Sequence, residues 1–62
     1  MAKLVTTYGW VLGNFEAPTP TLEEALRWIF MGMDLWILDD GEIYVSEKPL
    51  GVNYNELKWE VA

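Results

Sequence analysis

Sixty-two residues make one domain at most, and four basic against ten acidic residues leave a net charge of −6. That balance argues against a nucleic-acid binder, which neutralises phosphates with Lys and Arg in number, and equally against an anionic membrane surface as partner. With no Cys and no His, disulfides, thiolate zinc sites and the commonest general base are all missing.

A chain this short buries only about 60% of the surface its unfolded form exposes, so its fold must rest on packing. The apolar fraction of 52%, with four Trp, three Tyr and two Phe, can supply it. In chain order, Lys3 to Ala17 is rich in Val, Thr, Tyr, Trp and Phe and reads as a β-hairpin. Two turns compete for it, Tyr8-Gly9 and Gly13-Asn14, and the Tyr8-Gly9 register is preferred because it leaves strands of more equal length. Pro18 and Pro20 end the hairpin, since neither can donate to a ladder.

Thr21-Leu22-Glu23-Glu24 then fits a capping box, with Thr21 as N-cap and Glu24 three residues on. Leu22, Ala25, Leu26, Ile29 and Met33 follow at helical spacing, flanked by Phe30, and Gly32 is placed to stop the helix. The predicted helix runs from Leu22 to Met31. Asp34–Leu38 and Glu42–Ser46 are predicted strands around Asp39-Asp40-Gly41, with Gly41 in the left-handed position of a bulged hairpin loop. Pro49, Gly51 and Asn53 mark a loop. Asn55 to Val61 alternates, with Leu57, Trp59 and Val61 facing in and Glu56, Lys58 and Glu60 facing out.

The fold expected is α+β: an antiparallel sheet of about four to five strands, in ββαβββ order, with one helix packed on one face. It forms a single compact domain over residues 1–62. No leader is expected, and no apolar run approaches the ~20 residues of a membrane span. The chain reads as complete and cytoplasmic.

Catalysis finds little to work with. The acidic turn Asp39-Asp40-Gly41-Glu42 invites calcium, but a calcium loop needs oxygen ligands at alternating positions over about a dozen residues. Leu35-Trp36-Ile37-Leu38 offers none from its side chains, so the turn reads as a polar hairpin tip. Paired carboxylates could serve glycoside hydrolysis, yet a chain this small lacks the bulk for a cleft of several hundred Å³ around them. Ser46 is the only serine and no base accompanies it. No catalytic residue, cofactor or metal is expected.

The aromatics are more informative. Trp28 and Met31 point away from the apolar stripe of the helix, where polar residues belong. Trp36, Leu38 and Tyr44 project opposite to Leu35, Ile37, Ile43 and Val45, which face the helix. Two arrangements follow. Either the sheet curls and these rings form a second small core with Trp10, Phe15 or Tyr54, or they form an exposed patch of the composition found in interface cores. The acid excess also has two readings, a solvated face and a mimic of DNA phosphate charge that steers the chain to a basic host protein. The candidate partner-binding residues are Trp28, Met31, Trp36, Tyr44, Asp39, Asp40 and Glu42.

A hairpin ended by prolines, the run Thr21-Leu22-Glu23-Glu24-Ala25-Leu26 and further strands in so short a chain resemble small phage-encoded inhibitors of host proteins. These include inhibitors of bacterial RNA polymerase, and anti-restriction and anti-CRISPR proteins share the small, acidic profile. The match covers about a third of the chain. It departs late in the chain, where the polymerase inhibitors use basic residues and the last strand here has only Lys58 between Glu56 and Glu60. The resemblance implies a tiny, non-enzymatic inhibitor or adaptor docking on a larger host protein, and transfers no functional residue. The rival expectation is a self-associating structural module, a homodimer or assembly subunit burying the same aromatics.

Overall fold

The computed structural model describes residues 1–61. Strand β1 (Ala2–Thr6) turns into β2 (Val11–Phe15), followed by helix α1 (Leu22–Ile29), β3 (Leu35–Ile37), β4 (Glu42–Val45), β5 (Lys48–Asn53), a 3₁₀ turn (Tyr54–Glu56) and β6 (Leu57–Val61). The α+β class holds. The single sheet does not: the strands form two three-stranded antiparallel sheets, ordered β2-β1-β6 and β3-β4-β5.

The first hairpin turns in the preferred register. Gly9 adopts φ +95° and donates its N–H to the Thr6 carbonyl at 3.1 Å. The Thr6 side chain, 1% exposed, is satisfied inside the turn by accepting the Trp10 N–H at 3.0 Å. Pairing shifts between Leu4 and Val5, which face Gly13 and Val11. The missing side chain of Gly13 lets the helix come close: a Cβ there would sit 3.0 Å from the Ile29 side chain.

The helix starts as its sequence dictates, with extended Thr21 accepting the Glu24 N–H at 3.1 Å and Glu23 and Glu24 in the positive first turn. It ends two residues before the expected Met31, because Phe30, at ψ 37°, has left helical geometry. The chain then closes a tight turn in which Met33 donates to the Phe30 carbonyl at 3.0 Å.

The largest correction lies at residues 48–53. Pro49, Gly51 and Asn53 belong to strand β5, antiparallel to β4 through Val45↔Lys48, Tyr44↔Pro49 and Glu42↔Asn53. As an edge strand β5 tolerates a proline, which a central strand would not. At its end Asn53 accepts the Asn55 N–H at 2.9 Å and opens the 3₁₀ turn, so the last strand begins at Leu57 and not at Asn55. That corner moves the chain from one sheet to the other. β6 then pairs with β1 along its whole length, from Thr6↔Leu57 to Ala2↔Val61.

One apolar cluster joins all three layers: Leu4 and Leu57 from the first sheet, Ala25 and Leu26 from the helix, and Ile43 and Val52 from the second sheet. Leu35, Ile37 and Val45 pack against it, as the alternation requires. Phe15 and Trp59 meet edge to face at 5.3 Å and complete its margin. Val61 departs from its expected inward position and is exposed. It lies at the end of β6 opposite Ala2, outside the cluster.

Candidate functional site

The pleat of the second sheet decides which side chains are left over. With Leu35, Ile37, Ile43 and Val45 committed to the core, Trp36 and Tyr44 must project from the opposite face. They are directly paired across β3 and β4. Backbone bonds at Ser46 N–H to Asp34 O (2.7 Å) and Leu38 N–H to Glu42 O (2.9 Å) set the alternation that makes Trp36–Tyr44 a hydrogen-bonded pair. No helix covers this face. Trp36 and Leu38 are each 45% exposed.

Together with Glu47, Trp36, Leu38 and Tyr44 line an open groove of about 240 Å³. The groove is a shallow apolar floor with one carboxylate at its side. Glu42 lies two residues from Tyr44 on the same strand and so on the same face. Its carboxylate, as an acceptor for the phenol and as a negative charge, raises the Tyr44 pKa above the usual tyrosine value. Glu42 also lines a second depression along β5, with Pro49, Gly51 and Glu56.

The hairpin tip beside the groove is rigidly built. Gly41, at φ +90°, donates to the Leu38 carbonyl at 2.8 Å, and Asp40 Oδ1 accepts the Glu42 N–H at 3.0 Å. Asn53 Nδ2 donates to the Asp40 carbonyl at 3.1 Å, and Tyr54 N–H donates to the Gly41 carbonyl at 2.6 Å. Asp40 therefore spends one carboxylate oxygen on its own turn, while Asp39 stays exposed. Among the described residues no three carboxylates converge in a way that could hold a metal ion.

Of the seven expected binding residues, the structure gathers Trp36, Tyr44 and Glu42 on one sheet face, with Asp39 and Asp40 at the end of the same hairpin. Trp28 and Met31 are exposed at 64% and 75%, but Trp28 lies on the helix and Met31 in the turn that follows it, and neither lines the groove. Rings from the expected second core are divided as well: Phe15 and Tyr54 pack on the main cluster, while Trp10 is exposed.

Leu38 joins the groove as the strand alternation predicts. Glu47 is the addition. It sits in a two-residue β4–β5 turn in which both Ser46 (φ 51°) and Glu47 (φ 68°) have positive φ. Such turns are normally written Asn-Gly or Gly-Gly, so Ser-Glu carries no sequence signal for them.

No family model matches the chain, nor does any curated protein or solved structure. The functional reading therefore rests on these residues. Among the described residues no helix is long and apolar enough to cross a membrane.

Proposed function

We propose that this chain is a non-enzymatic protein-binding inhibitor or adaptor that docks on a larger protein through the outer face of the β3-β4-β5 sheet. The observation that carries the reading is the Trp36–Tyr44 pair with Leu38 beside it, on the sheet face opposite the one that packs Leu35, Ile37, Ile43 and Val45 into the core. Exposed Trp36 on edge strand β3 and half-buried Tyr44 on the central strand match the composition of interface cores, where Trp and Tyr dominate binding energy. The carboxylates at the rim, Glu42, Glu47, Asp39 and Asp40, together with the net charge of −6, favour a basic partner and fast encounter. A nucleic-acid-binding host protein in the cytoplasm, met by charge mimicry, fits that chemistry. The phage or mobile-element origin rests on the resemblance in hairpin and helix start alone.

Affinity capture from a bacterial lysate, read by mass spectrometry, tests the proposal with Trp36→Ala and Trp28→Ala beside the wild type. The expected result is a protein retained by the wild type and by Trp28→Ala and lost with Trp36→Ala. Equal capture by all three chains removes the sheet face as the docking surface. The rival reading, a self-associating module, places a second copy on the same rings. Sedimentation separates the two: a 7.2 kDa monomer at all concentrations eliminates the rival.

A further inference from the structure

We infer that the Trp36–Tyr44 groove is a subsite for an arginine side chain of the partner, the guanidinium lying on the rings with its N–H groups directed at Glu47. The assignment rests on the docking reading above and names the chemistry that the groove takes. Trp36, Leu38, Tyr44 and Glu47 line the groove, so its only charged wall is negative. Lys48, the nearest base in the chain, pairs with Val45 and so projects to the other side of the sheet. Arg27 is on the helix, in an ion pair with Glu23 at 3.8 Å.

The faces of Trp and Tyr attract cations through their ring quadrupoles, and a carboxylate beside them adds a charge-assisted hydrogen bond. Shape narrows the choice of cation. Trp36 and Tyr44 are paired on neighbouring strands and line one open groove, with no further ring among its described lining residues. A quaternary ammonium is held best by a cage on several sides, and the compact lysine ammonium keeps its hydration shell. A planar, weakly hydrated guanidinium can stack on one surface and still reach a carboxylate at its edge.

Charge complementarity extends past the groove. Glu42, on the Tyr44 side, and Glu56 line the neighbouring depression along β5, so a basic segment laid across the sheet meets acid on both flanks. The position of Glu47 is itself costly, because a Ser-Glu turn with both φ positive is strained where Asn-Gly would relax it. The relaxed turn would leave the groove without its carboxylate.

Titration of the ¹⁵N-labelled chain with a short capped peptide, in which arginines alternate with glycine and serine, tests the assignment. The readout is the Trp36 indole N–H signal, identified with Trp36→Phe. The Trp36 signal should move on titration, Glu47→Gln should weaken binding on the order of five- to tenfold, and the same peptide with citrulline should bind weaker still. Glu47→Lys, which keeps a long side chain in the turn, should abolish binding. The assignment is overturned if the citrulline peptide binds as well as the arginine peptide, if Glu47→Gln changes nothing, or if the shift falls on other tryptophans. It is also overturned if the Trp36 signal moves with the concentration of the chain alone, which places a second copy in the groove. Capture of a partner with no peptide binding sinks the arginine assignment only. Peptide binding with no captured partner keeps the assignment and sinks the docking reading.

Discussion

Gly41 shows how much one position can carry. Its φ of +90° lies where side chains are rare, and a Cβ there would collide with Asn53 Oδ1. Gly41→Ala therefore faces both backbone strain and loss of the bonds that tie the hairpin tip to Asn53. We expect a stability loss of about 1–3 kcal/mol by urea denaturation. Tyr44 offers a second test. Hydrogen bonding to Glu42 and the Glu42 charge raise its pKa, so the folded chain holds the phenol proton where the unfolded chain, at about 10, has begun to lose it. The stabilisation is complete below the unfolded value and is lost as pH rises through the folded one. A spectroscopic titration should find the Tyr44 midpoint above 10, and Glu42→Gln should bring it back down. Gly41 was legible in the sequence because Asp-Asp-Gly announces a bulged turn. The Glu42–Tyr44 coupling was not, although both residues were singled out for binding.

At the scale of elements, what could be read depended on whether a turn carried its usual chemistry. Thr21 and the two glutamates fixed the start of the helix, and Gly9 fixed the first hairpin. Ser46-Glu47 hid the third hairpin, since neither residue is the kind a doubly positive turn selects. Without that turn, Pro49 and Gly51 looked like loop residues and β5 was missed. The same omission concealed Glu47 as a wall of the groove. The turn gives a direct prediction. Ser46→Asn with Glu47→Gly should relieve the strain and raise stability by about 1–2 kcal/mol, a melting temperature about 8–15 °C higher. Partner affinity should fall in the same protein. A variant that is no more stable than the wild type would show that the turn stores no strain.

For the whole molecule, alternation within strands foretold most of the residues that turn inward, Val61 excepted, but not which strands pair. Leu57 and Trp59 were placed correctly on the inner side, yet nothing local told β6 to return to β1 and split the strands into two sheets. That choice is made by the shared cluster of Leu4, Leu26, Ile43, Val52 and Leu57, whose members lie far apart in the chain. Small domains have little stability to spare, and Ile43 is fully buried at the centre. Ile43→Ala should cost about 2–5 kcal/mol, enough to leave much of the chain unfolded at room temperature by circular dichroism.

The same core explains the site. By using the inner faces of both sheets around one helix, the fold leaves Trp36 and Tyr44, paired across β3 and β4, on the outer face of β3-β4-β5. Truncating Trp36 removes little from the core, because the cross-strand pair is worth about 0.2–1 kcal/mol. The most direct measurement is calorimetric titration of the purified captured partner with the wild type and with folded Trp36→Ala. If these rings are the centre of the interface, Trp36→Ala should bind about 30-fold more weakly, the loss of about 2 kcal/mol expected of a hot-spot tryptophan. An affinity within twofold of the wild type would contradict the account.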